Sequence, residues 1–182
     1  MTTGPEEPEA AAQGWKKPHA RQAGPGTSVW YMGCLVSILA GAEETENRFG
    51  LMELVAPKGL EPSRHVHFHD DEGFYVLEGR ATFYVGDETL RAGPGTFVFL
   101  PHGVPHSYTF ETAMIRMLAI VAPGGIEGHF QDPRFSEPAE TPTLPPTFEP
   151  PDAATLAEIS GDLASYGTEV VGPPGKPERG SP

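Results

Sequence analysis

Ten short runs of β-forming residues follow one another between positions 29 and 121, and turn residues separate them. They occupy 29–32, 34–40, 48–56, 65–68, 73–78, 81–85, 88–92, 96–100, 106–110 and 113–121. Gly86-Asp87 suits a two-residue hairpin turn, while Asp70-Asp71, Glu78-Gly79-Arg80 and Gly93-Pro94-Gly95 punctuate other junctions. Strands this short and evenly spaced predict an all-β chain, an antiparallel barrel or jelly roll. The 22 glycines and 21 prolines among 182 residues point the same way, because both residue types break helices. No dinucleotide fingerprint, phosphate loop or alternating strand–helix pattern is present.

The length fits one compact domain with tails. Residues 1–27, rich in Pro, Glu, Ala and Gly, read as a disordered arm that Trp15 could anchor. Residues 28–122 form the barrel, and 123–182 a proline-rich, mostly irregular segment. Within that segment one helix is expected at about 152–166. Asp152 caps it, Leu156, Ile159, Leu163 and Tyr166 form an apolar stripe against the barrel, and Gly167 stops it. The remainder, 172–182, reads as a loose tail.

The formal net charge is −13, which repels phosphate backbones and anionic membranes; neither nucleic acid nor membrane is an expected partner. The apolar runs near 34–40 and 117–122 are too short to span a bilayer, and the first residues lack the pattern of a secretion signal, so a cytoplasmic location is expected. Cys34 is the lone cysteine; it reads as a small buried hydrophobe.

Six of the seven histidines lie between 65 and 129. Alternate residues of a strand share a face, so His65 and His67 aim two imidazoles into one space. A turn at 68–71 then brings the next strand alongside, with the carboxylate of Glu72 at its start. Imidazole suits divalent transition metals, and the carboxylate adds an anionic oxygen. The surrounding frame is Gly59, His65, His67, Glu72 and Gly79, with five, one, four and six residues between them. A second frame, Gly95, Pro101, Gly103 and His106, has five, one and two. Pro101 and Gly103 shape a turn into the strand of His106, which delivers a third imidazole. Three histidines and one glutamate leave open positions on an ion that prefers five or six ligands.

The two frames resemble the paired motifs of the cupin superfamily, departing only at Phe110, where asparagine is common. The resemblance implies a jelly-roll barrel, also called a double-stranded β-helix, with one C-terminal helix and disordered termini. It implies one divalent ion (Ni, Mn, Fe, Co, Cu or Zn) on His65, His67, Glu72 and His106. The stretches 35–49, 57–59, 72–76 and 166–174 look like single-domain bacterial quercetin 2,3-dioxygenases. That likeness implies metal-dependent cleavage of a flavonol, or a similar enolic aromatic compound, by dioxygen, with Glu72 as ligand and proton acceptor. Small cupins also include oxygen-independent cyclases and isomerases, and non-catalytic metal or small-ligand binders. Beyond Pro123-Gly124-Gly125, where the resembled proteins tend to be helical, Gly128 and Pro133 interrupt the segment.

Phe74 and Val76 share the inward parity of Glu72, and Tyr108 and Phe110 that of His106. They read equally as barrel core or as the wall of a substrate pocket. His69 reads as a turn residue or one that supports the ligands, His102 as exposed on its loop, and His19 and His129 as lacking a partner for metal ligation. Glu53 fits either a pocket or an exposed edge, and 45–47 reads as a turn. Exposed strand edges predict a homodimer.

Overall fold

A computed structural model describes residues 18–177. The chain forms β1 (Ser28–Tyr31), β2 (Cys34–Ala40), α1 (Ala42–Thr45), β3 (Gly50–Pro57), β4 (Arg64–His67), β5 (Asp71–Glu78), β6 (Ala81–Val85) and β7 (Glu88–Ala92). It continues through β8 (Phe97–Leu100), β9 (His106–Phe110), β10 (Met114–Ala122), α2 (Glu127–Phe130), β11 (Ser136–Pro138), α3 (Ala153–Ser165) and β12 (Thr168–Gly172). A seven-stranded sheet runs β11-β1-β2-β3-β10-β5-β8 and a five-stranded sheet β12-β4-β9-β6-β7. All pairings are antiparallel, as in the expected jelly roll.

The turns follow the sequence chemistry. Val85 pairs with Glu88, leaving Gly86-Asp87 as a two-residue hairpin loop. Gly79 adopts φ +82°, and a Cβ there would press on the carbonyl of Met114. Inward-facing apolar residues from both sheets fill the barrel: Val36, Met52, Phe74, Val76, Phe83, Val98, Tyr108, Phe110, Ile115 and Met117 are all buried. The rings of Phe74, Phe83 and Phe110 each lie 5.2–5.6 Å from that of Tyr108.

Several elements go beyond the sequence reading. Residues 42–45, including the start of the expected turn, form a single helical turn. Between 123 and 151, expected to be irregular, lie the helical turn α2 and strand β11, which extends the large sheet beside β1. Thr168–Gly172 is a strand that pairs with β4. Glu127 explains the two helical turns: its buried carboxylate accepts the backbone N–H groups of Ala42 and Gly125. Buried backbone donors require such partners.

Helix α3 occupies the expected place. The carboxylate of Asp152 accepts the Thr155 N–H at 2.8 Å. The apolar stripe is only partly used: Ile159 is buried, but Leu156 remains 46% exposed. The helix is also held by polar contacts. Asp162 accepts from Nδ1 of fully buried His129 at 2.6 Å and pairs with Arg134. The other ring nitrogen of His129 meets the Tyr31 hydroxyl at 3.0 Å. Of the expected N-terminal arm, residues 1–17, Trp15 among them, fall outside the described residues. In residues 18–27, Arg21 pairs with Glu44, and His19 meets the Leu39 carbonyl. Of the C-terminal stretch, 178–182 also lies outside them. Among the described residues no helix is long and apolar enough to cross a membrane.

Candidate metal centre

Three strands bring four side chains to one point. His65 and His67 project from β4, Glu72 from the start of β5, and His106 from the start of β9, where it pairs directly with His65. One ligand atom from each residue lies within 4.8 Å of the others. His67, Glu72 and His106 are buried, while His65 keeps partial access.

The second nitrogen of each ring is already engaged. His65 Nδ1 meets the Ser63 carbonyl at 2.7 Å, and His106 Nδ1 meets the Val104 carbonyl at 3.1 Å. His67 Nδ1 lies 2.7 Å from Oδ2 of Asp70, a buried carboxylate. Carbonyl and carboxylate oxygens only accept, so each Nδ1 carries a hydrogen, and each ring turns its Nε2 inward. Inside the cluster, Nε2 of His65 and His106 are 3.2 Å apart, and Glu72 Oε2 lies 3.3 Å from His106 Nε2. That buried carboxylate oxygen has no satisfactory hydrogen-bond partner. Three inward ring nitrogens and an unsatisfied anionic oxygen form a donor set that a divalent cation fits.

The four groups act strongly on one another. Burial, followed by the neighbouring His106, lowers the His65 pKa to about 4, which keeps the ring neutral. Burial alone would raise the Glu72 carboxyl, but the His106 contact and the surrounding imidazoles bring it down to about 2. His67 is pulled down by burial and up by Asp70 and Glu72, and the net shift is upward.

The other histidines stand apart. His69 is exposed on the turn, its ring against Gly167. His102 is exposed and meets Asp71 at 2.7 Å. Glu53 is neither a member of the cluster nor an exposed edge residue: it is buried, in a two-point ion pair with Arg116 at 2.9 and 3.0 Å. Cys34 is partly buried, and burial pushes its thiol up to about 12. Phe74, Val76, Tyr108 and Phe110 all belong to the packed core. The Tyr108 phenol is raised well above its usual range by burial and then by the charge of Glu72. Asp70 escaped the sequence reading because it looked like a turn residue. An acid three positions after a ligand-type histidine was the available signal.

The family described as "Cupin domain" matches residues 51–125, which include all four clustered side chains. Residues 51–125 are a cupin domain. The chain is 28% identical over 114 residues to quercetin 2,3-dioxygenase of Bacillus subtilis (strain 168), covering 63% of this chain and 34% of that protein. It is 36% identical over 53 residues to an uncharacterized protein of Streptomyces coelicolor, covering 29% and 50%. The chain therefore spans between a third and a half of these curated relatives. Among solved structures it is similar to KdgF from Halomonas sp., with a TM-score of 0.48 and 19% identity over 53% of this chain and 84% of that one.

Proposed function

We propose that this protein is a metal-dependent dioxygenase of the quercetinase-like type, acting on a flavonol or a similar enolic aromatic compound. The observation that carries the reading is the convergence of three inward Nε2 atoms on an unsatisfied Glu72 oxygen. In this reading His65, His67, Glu72 and His106 hold one divalent transition metal ion. The similarity to the Bacillus enzyme supports the choice of chemistry.

A bound divalent ion supplies Lewis acidity, which makes a coordinated hydroxyl more acidic. Glu72 accepts that proton. In this reading Phe74, Tyr108 and Phe110, whose positions follow those of Glu72 and His106 on the same strands, would form the apolar wall beside a flat substrate.

Elemental analysis of the purified protein, followed by oxygen-electrode assays with a panel of flavonols, tests the reading. Oxygen uptake with release of carbon monoxide is the expected result. Oxygen-independent turnover of a ketone substrate would select a cyclase or isomerase instead. Stoichiometric metal without turnover of either substrate class would select a binding protein.

We also infer a homodimer built on the outer face of β8, β5 and β10. Phe97, Phe99, Tyr75 and Ile120 are 39–54% exposed there. Tyr75 pairs with Phe97, while Gly73 pairs with both Phe99 and Ile120, so the four form one patch. Arg116 beside it is neutralised by Glu53 and Glu78. On a chain of net charge −13, a face with internally paired charge lets two copies approach. Edge strand β8 adds a row of backbone groups that an identical strand can pair.

A further inference from the structure

We propose that Asp70 is the positioning residue of the metal centre: its carboxylate fixes the His67 ring and supplies the anion that neutralises the loaded site. The proposal rests on the metal reading above. Its basis is an asymmetry among the three imidazoles. His65 and His106 lean on main-chain carbonyls, whereas His67 leans on a side chain, 2.7 Å from the Asp70 carboxylate. Both partners are enclosed, His67 at 3% and Asp70 at 6% exposure. A charge-assisted hydrogen bond at that length, shielded from water, is among the stronger kinds.

The fold spends a tight turn on this contact. Phe68 and His69 point outward, and the chain then swings the Asp70 side chain back beneath the strand it has just left. Two further contacts hold the strand end: Gly103 donates its N–H to the His67 carbonyl at 2.7 Å, and Phe68 donates to the Gly167 carbonyl at 2.9 Å. Thr168 Oγ1, at 3.5 Å from His67 Nδ1, is the nearest competitor for the ring, and its longer contact leaves Asp70 as the principal partner.

Two consequences follow. With Nδ1–H committed to Asp70, Nε2 is the free donor atom and points at the common centre. The charge count also closes. Three neutral imidazoles, the Glu72 and Asp70 carboxylates and a divalent cation sum to zero. Without Asp70 the loaded site would carry an uncompensated positive charge in a buried setting.

The test uses the full-length protein with cobalt(II) as probe, read by chelator competition and by the visible absorption of the bound ion. The unaltered protein, Asp70→Asn, Asp70→Ala and His106→Ala are compared, with circular dichroism reporting folding. Asp70→Ala is expected to weaken cobalt binding by about 10–100-fold, with Asp70→Asn, which keeps an acceptor but loses the charge, falling between it and the unaltered protein. If Asp70→Ala does not fold, the isosteric Asp70→Asn decides: a loss of about threefold or more supports the proposal and unchanged affinity overturns it. Variants that melt earlier yet bind cobalt like the unaltered protein would mean that Asp70 only braces the turn. That result sinks the proposal while leaving the metal reading intact. An unaltered protein that takes up no cobalt, or His106→Ala binding as well as the unaltered protein, would remove the metal reading and this inference together.

Discussion

The Nε2 atoms of His65 and His106 lie 3.2 Å apart, although each ring commits its Nδ1–H to a main-chain carbonyl. Two lone pairs facing each other across that gap repel unless a proton or a cation lies between them. A cation that binds only the folded chain stabilises it by mass action, by about 2.7 kcal/mol at a free concentration of 100 Kd. Thermal scans should therefore show a melting temperature that rises with added divalent metal and falls back with chelator. His106→Ala should abolish that response, because it removes one wall of the cluster.

Acid should weaken the metal-free protein in two stages. The folded-state pKa of His65 is lowered to about 4, so the unfolded chain binds its proton first, and stability falls as pH drops from about 6.5 towards 4. Glu72, lowered to about 2, contributes stability above its unfolded value that is lost as pH falls from about 4.5 to 2. His67, shifted upward, works in the opposite direction: its contribution is full below about 6.5 and is lost as pH rises through its raised value. Denaturant midpoints measured between pH 7 and pH 3 without metal should fall, and His65→Phe should flatten the upper part of that decline.

Glu127→Ala should destabilise the fold by about 2–4 kcal/mol, because it leaves the N–H groups of Ala42 and Gly125 without their acceptor. Urea unfolding with unchanged slope would measure the loss. Gly50→Ala should damage the same place, since a Cβ there would collide with the Glu127 carboxylate.

Phe99→Asp should shift the protein to monomer. The substitution adds a charge to each copy within the apolar patch, where two like charges would have to be buried together. Light scattering after gel filtration should give twice 19.5 kDa for the unaltered chain and 19.5 kDa for the variant.

Much of this fold was legible because its information is local. β2, β6, β7 and β9 occupy the expected residues, since glycine-bearing turns bound β2, β6 and β7 on both sides and lead into β9 at Gly103. The meeting of 65, 67, 72 and 106 was legible from parity together with the glycine and proline frame around these residues. What stayed hidden depends on distant partners. Glu127 caps a turn 85 positions away, and nothing in its neighbourhood announces that. The hydrogen bonds of His129 were hidden because Tyr31 and Asp162 reach it from 98 and 33 positions away. Leu156 kept the helical period yet faces solvent, because Ile159 and the polar contacts of Asp162 suffice to dock α3.

The return of β12 to lie against β4 sets the size of the cooperative unit. The family pattern stops at residue 125, but the strand carrying His65 and His67 borrows its outer neighbour from 168–172. A version cut after 125 would leave that strand with a bare edge. It would take away the Gly167 carbonyl that fixes Phe68 and the threonine packed beside His67. The segment recognised by descent is thus shorter than the segment that must fold, and damage near the C-terminus should be felt some hundred residues upstream, at the pair of imidazoles.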